Sequence, residues 1–156
     1  MKSIYIEHDF LSEDECNAII AFYEAFSHKS FHYRDNNSFP IGLKDFSELD
    51  EIHDRVLNRV AKIGQKKYVL DNHEVVKWPP KSKMSMHKDF DYDEWSAIVY
   101  LNNNYFGGRT LFENGIEVKP QKGTLIAFNG CNLSHGVSEI LNGDRYTLAY
   151  WIKEHE

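Results

Sequence analysis

In SEDECNAIIAFYEAF, residues 12–26, Ala18, Ile19, Phe22, Ala25 and Phe26 recur every three or four positions. That spacing predicts an amphipathic helix. Ser12 and Glu15 stand at the separation of a reciprocal N-terminal cap. A second helical period runs through residues 47–64, SELDEIHDRVLNRVAKIG, with Leu49, Ile52, Val56, Val60 and Ile63 on one face. Ser47 is its candidate cap and Gly64 its stop. SIYIEHDF, ahead of the first helix, alternates like a short strand. The segment between the helices has no period and carries Asn36, Asn37, Pro40 and Gly42, as a long loop with room for a short strand does. After residue 66 the period drops to two. HEVVKW, KMSMHKDF, EWSAIVYLN, RTLFE, GIEVKP, GTLIAFNG, LSHGVSEI and RYTLAYWI are strand candidates, with a hairpin signal at Asn114-Gly115 and the last two joined through Asn142-Gly143. Two helices followed by many short strands predict an α+β chain, its helices packed on one sheet of a sandwich or barrel.

A length of 156 residues fits one domain, residues 1–156, and 42% hydrophobic residues supply its core. The net charge of −6 argues against a nucleic-acid duplex as partner, because phosphate binding needs a basic face. No apolar run reaches membrane-spanning length, so no membrane partner is expected. Cys16 and Cys131 form no disulfide framework, and the first residues hold no long apolar stretch of a secretory signal. Together these predict a reducing, cytoplasmic setting.

The candidate chemistry starts at MHKDFDY, residues 86–92. In a strand, side chains two apart share a face, so His87 and Asp89 are expected to project together. With 8 histidines and 24 acidic residues, about one such pair arises by chance, and the pair alone is weak evidence. The end of the chain strengthens it. His135 opens one strand candidate and Arg145 heads the next. Alternation puts Arg145, Thr147, Ala149 and Trp151 on one face, which suits a cavity wall, and Tyr146, Leu148, Tyr150 and Ile152 on the other, which suits packing. Two histidines and a carboxylate suit non-haem Fe(II). A buried guanidinium needs an anion and grips a carboxylate with two parallel hydrogen bonds.

From Lys77 to Ile152 the sequence resembles the Fe(II)- and 2-oxoglutarate-dependent dioxygenases, within them the prolyl 4-hydroxylase branch. The segments that carry the resemblance are HKD, IVYLNN, GGRTLF, VKPQKGTLIAFN, SHGV and RYTLAYWI. It implies a double-stranded β-helix, or jelly-roll, with two N-terminal helices. It implies His87, Asp89 and His135 as iron ligands and as the catalytic centre together with Arg145. Arg145 and Tyr100 would hold the distal carboxylate of 2-oxoglutarate. Trp78 and Met84 stand where the family usually has tyrosines; the Trp78 ring and indole N–H could still cover the cosubstrate, whereas Met84 has no donor. Trp151 matches an aromatic residue near the metal, and Tyr92 and Arg34 are candidate substrate contacts. The implied cofactor is Fe(II), with 2-oxoglutarate and O2 as cosubstrates and ascorbate as accessory reductant. The implied reaction hydroxylates a prolyl residue in a peptide or protein and releases succinate and carbon dioxide. Lys77, Lys81, Lys83 and Lys88 form a loose basic group near the site. Two alternatives stay open: a hydroxylase of a free amino acid or small metabolite, and a metal-binding or sensing jelly-roll without turnover. The sequence sets no oligomeric state.

Overall fold

Ser12 and Glu15 form the expected cap: the Glu15 amide donates to the Ser12 hydroxyl at 3.1 Å, and the Ser12 amide donates to the Glu15 carboxylate at 2.9 Å. Helix α1, Glu13–Ala25, follows in a computed structural model that describes residues 3–156. Its buried face is Cys16, Ile19 and Tyr23, while Ala18 and Ala25 stay exposed. The Tyr23 hydroxyl sets this rotation by donating to the Phe39 carbonyl at 2.7 Å. A 3-10 turn, Ser27–Lys29, closes the helix.

Helix α2 spans Asp50–Gly64 and starts later than Ser47. The Ser47 carbonyl instead accepts from the Asp50 amide at 3.2 Å in a turn, and Leu49 caps the helix with no side-chain hydrogen bond. The left-handed residue at the C-terminal end is Gln65, at φ 55°. Gly64 is needed for another reason: any Cβ there would strike the Tyr68 ring.

Among the described residues the strands form two main antiparallel sheets and a short two-stranded one. The larger has six: β1 (Ile4–Glu7), β2 (Phe39–Gly42), β3 (Tyr68–Trp78), β5 (Trp95–Tyr100), β9 (Leu125–Phe128) and β12 (Arg145–Glu154), in the order β1-β9-β5-β12-β3-β2. The smaller holds β4 (Met84–His87), β7 (Thr110–Phe112), β8 (Glu117–Val118) and β10 (His135–Val137), in the order β4-β10-β7-β8. A two-stranded extension pairs β6 (Phe106–Gly107) with β11 (Ile140–Asn142). This is the double-stranded β-helix, with both helices on the outer face of the larger sheet.

Alternation along β12 sorts the two cores. Tyr146, Leu148, Tyr150 and Ile152 pack outward with Cys16, Ile19 and Tyr23 of α1 and Ile52, Val56 and Val60 of α2. Between the sheets, Tyr100, Phe112, Ile126, Phe128 and Leu133 form one cluster, and Val76, Trp78, Val137 and Ile140 form another, against which Met84 packs. Met84 thus fills apolar space beside Trp78.

The helix–sheet seam buries His53 of α2 against Tyr150, Nδ1 to hydroxyl at 2.8 Å, with the His73 ring 4.5 Å away. Burial pulls the His53 pKa down to about 4. The unfolded value is about 6.5, so the fold favours the neutral ring. This stability is complete above pH 6.5 and is lost as pH falls through about 4. The variant His53→Phe is expected to lower the melting temperature at pH 7 but to flatten its fall between pH 6.5 and 4, as pH-dependent thermal melts would show. An unchanged slope would remove His53 as the cause.

Candidate metal centre

His87 closes β4 and His135 opens β10, and the two are cross-strand partners. Their rings lie 4.5 Å apart. Asp89 joins them by a route that strand parity does not describe. β4 stops at His87, and residues 88–90 leave the sheet. The chain is turned back by the Asp89 amide, which donates to the Gly130 carbonyl at 2.9 Å, and by the Ser96 hydroxyl, which donates to Asp89 Oδ2 at 2.5 Å. Gly130 must lack a side chain, because a Cβ there would collide with that carboxylate oxygen and with Ser96 Oγ. The outcome places His87 Nε2 3.3 Å from Asp89 Oδ1 and His135 Nε2 3.4 Å from Asp89 Oδ2. One potential ligand atom from each of the three lies within 4.8 Å of the others.

Backbone carbonyls orient both rings. His87 Nδ1 lies 3.0 Å from the Ser85 carbonyl and His135 Nδ1 lies 2.8 Å from the Leu133 carbonyl. A carbonyl only accepts, so each Nδ1 holds a proton, and Nε2 of each ring is the atom turned toward Asp89. Two bare Nε2 lone pairs facing a carboxylate repel, so a cation belongs among them, a proton on Nε2 or a metal ion in its place. Burial pushes the Asp89 carboxyl up, but hydrogen bonds with His135 and His87 outweigh it and hold the group well below the usual carboxylate range. The hydrogen bond to Asp89 raises the His87 pKa against the opposing effect of burial. Two imidazoles and one carboxylate, with the rest of the coordination sphere open, fit a divalent first-row metal such as Fe(II).

Arg145 begins β12 inside the barrel and is 1% exposed. Its guanidinium lies 5.0 Å from the Trp78 ring and 5.6 Å from the Tyr100 ring. Nη2 reaches Thr110 Oγ1 at 3.5 Å, while the Tyr100 hydroxyl shares a hydrogen bond with the same Thr110 oxygen. No carboxylate among the described residues forms an ion pair with Arg145, and its Nε has no partner. The Trp78 indole N–H and the Tyr105 hydroxyl are also buried without partners. Tyr105 borders the same space: a Cβ at Gly108 would come within 2.9 Å of the Tyr105 ring and 3.1 Å of Arg145 Cδ. The protein therefore buries a positive charge with no anion of its own and leaves Arg145 Nε, the Trp78 indole N–H and the Tyr105 hydroxyl unpaired. Such an arrangement costs several kcal/mol until an anion arrives.

Of the remaining expected residues, Trp151 lies half-buried on the inner face of β12. Tyr92 is exposed and stacks on Phe90, ring centroids 5.3 Å apart. Arg34 is exposed in a loop tied to the start of β4 by the Lys83 amide, which donates to the Asn36 carbonyl at 3.1 Å. Lys77 does not belong with the basic group. It faces the helices, 3.7 Å from Glu24 and 4.0 Å from Asp144. Ser96, Gly130, Thr110 and Tyr105 were not expected at the site. Ser96 had a signal, as the polar residue at Tyr100's parity in an apolar strand; Gly130 and Tyr105 sit in turns whose packing only the folded chain reveals.

The profile of the 2OG-Fe(II) oxygenase superfamily matches residues 73–153. Prolyl 3-hydroxylase 1 of Rattus norvegicus is 33% identical over 69 residues, which are 40% of this chain and only 10% of that protein. The chain thus matches about a tenth of that relative's length. The viral collagen prolyl hydroxylase of Paramecium Bursaria Chlorella virus-1, solved with 2OG, shares the fold with a TM-score of 0.78 at 19% identity, covering 98% of this chain and 96% of that one. A prolyl hydroxylase in complex with a hypoxia inducible factor peptide fragment, from Trichoplax adhaerens, has a TM-score of 0.81 at 14% identity, covering 97% and 83%.

Proposed function

The chain belongs to the 2OG-Fe(II) oxygenase superfamily, and from that premise we propose that it holds Fe(II) through His87, Asp89 and His135, binds 2-oxoglutarate through Arg145, and hydroxylates a prolyl residue of a peptide or protein. One observation carries the cosubstrate reading: the Arg145 guanidinium is buried beside the triad's barrel with no anion to neutralise it. A metal site without turnover needs no such group.

Each residue then has a definite task. Asp89 supplies the anionic ligand, and Ser96 and Gly130 fix its direction. The Ser85 and Leu133 carbonyls hold the protons of Nδ1 away from the metal side of the two rings. Arg145 takes the far carboxylate of 2-oxoglutarate with paired N–H donors, and Tyr100, Thr110 and Tyr105 offer further hydroxyls. Trp78 covers the guanidinium, and Val76, Val137 and Ile140 keep water from that end. When bound, the ferrous ion supplies dioxygen activation and C–H oxidation, with 2-oxoglutarate consumed to succinate and carbon dioxide. We assign Trp151, Tyr92 and Arg34 to contacts with the peptide. The likeness to prolyl hydroxylases, one of them solved with a peptide, supports the prolyl substrate.

The test is incubation with Fe(II), 2-oxoglutarate, ascorbate, air and proline-containing peptides. Gain of one oxygen on proline, matched mole for mole by peptide-dependent succinate, is the expected result. Tight 2-oxoglutarate binding without oxygen gain on any proline would overturn the substrate while leaving the cosubstrate reading in place.

A further inference from the structure

β3 alternates between two environments. Lys77, Val75 and His73 face the helices, meeting Glu24, the outer core and His53. Trp78, Val76 and Glu74 face into the barrel, where the first two pack against Val137 and Ile140. Glu74 is thus a carboxylate on an inward face that is otherwise built for apolar packing and cosubstrate binding. No described residue donates a hydrogen bond to it or forms an ion pair with it.

Its neighbours leave it space. Glu74 pairs with Ala149 of β12 on one side and Gly42 of β2 on the other. A Cβ built at Gly42 would meet nothing within 4 Å. Ile98, Ala149 and Glu74 lie in one row across the larger sheet, and all three are half-buried. Val99, Leu148 and Val75, their neighbours on the outer face, are fully buried. Water therefore reaches the inner row. The adjacent row holds Ser96 and Trp151, and Ser96 bonds Asp89. Glu74 stands one row from the residue that orients the triad, on the strand that ends in Trp78 beneath Arg145.

We propose that Glu74 determines substrate specificity by receiving a cationic group, an ammonium or guanidinium, on the molecule to be oxidised. This rests on the reading of the barrel as an oxygenase site, and in the peptide form it calls for lysine or arginine next to the target proline. A half-buried carboxylate with no partner is unfavourable, and burial alone pushes the Glu74 pKa up to about 7. A cation relieves that cost, whereas a neutral analogue leaves the carboxylate unpaired, which is how a buried polar group discriminates. The cavity then has two poles. Arg145 draws the anionic cosubstrate to the closed end and Glu74 repels it from the open side, so the two ligands cannot exchange places.

The experiment uses three labelled peptides that differ only in lysine, glutamine or glutamate beside a proline. Their binding to the full chain is measured by fluorescence anisotropy with Mn(II) and 2-oxoglutarate present and oxygen excluded. The lysine peptide is expected to bind about 10- to 100-fold more tightly than the glutamine peptide, the range of a hydrogen bond to a charged group. In Glu74→Gln the ratio is expected to fall to about 1–3, and in Glu74→Lys the glutamate peptide is expected to bind best. Equal binding of the three peptides, binding of none, or an unchanged ratio in Glu74→Gln overturns the proposal. Binding of 2-oxoglutarate to the same samples is measured separately, and its loss would instead count against the oxygenase reading itself.

Discussion

Asp89→Ala is expected to abolish metal binding and turnover together. The carboxylate is the one anionic member of the triad, and it sits within 3.4 Å of both imidazole Nε2 atoms. Its removal leaves two neutral rings that cannot balance a divalent charge. Loss of a group that merely orients a ligand costs 10–100-fold in metal affinity, so loss of the ligand should exceed about 100-fold. His135→Ala should act alike, because that ring is buried and its Nδ1 is already committed to Leu133. Stability separates this result from misfolding. Metal at about 100 times its Kd adds about 2.7 kcal/mol to a fold that binds it. The natural chain should melt higher with Mn(II), and Asp89→Ala should melt at one temperature with or without it. Retained activity in purified Asp89→Ala or His135→Ala would remove these residues from the metal site.

Arg145→Met is expected to give the second large effect, and in two opposite directions. The guanidinium is buried with only a 3.5 Å contact to Thr110 and two aromatic faces around it. Truncating one member of a buried, hydrogen-bonded charge pair costs about 2–5 kcal/mol in binding. The 2-oxoglutarate requirement should therefore rise roughly 30-fold to several-thousand-fold, since about 1.4 kcal/mol is tenfold. Without cosubstrate the charge has no partner, and an apolar side chain of similar length should leave the chain as stable or more stable. Thermal melts with and without 2-oxoglutarate check both halves. A variant that is much less stable without cosubstrate, or one with an unchanged 2-oxoglutarate requirement, would show that Arg145 is a structural residue and not the clamp.

The parts of the fold that were legible in the sequence are those governed by local chemistry. The Ser12–Glu15 cap, the Asn114-Gly115 hairpin and the two faces of the last strand depend on neighbours within a few residues. Misreadings arose where a distant contact decides. Tyr23 reaches the Phe39 carbonyl and turns Cys16 and Tyr23 inward, so that Ile19, Phe22 and Phe26 of the expected face still pack in the core while Ala18 and Ala25 stay exposed. Ser47 spends its carbonyl on a turn, so α2 begins later. Asp89 was correctly grouped with His87, but strand parity was the wrong reason; Gly130 and Ser96 bring it back after the strand has ended. Arg145 beside Trp78 and Tyr100 followed from alternation and the family resemblance. Tyr105 could not be found that way, because a turn has no period to place its hydroxyl. Glu74 had a signal, its parity with Val76 and Trp78, yet its lack of a partner shows only once the neighbours Ala149 and Gly42 are known.

The most direct measurement is an anaerobic calorimetric titration of 2-oxoglutarate into the chain with and without Mn(II), repeated with Asp89→Ala and Arg145→Met. One cosubstrate per chain, bound tightly only when metal is present and lost in both variants, is the expected result. Tight binding that persists without metal, or in either variant, would contradict a site in which His87, Asp89 and His135 hold the ion and Arg145 holds the acid.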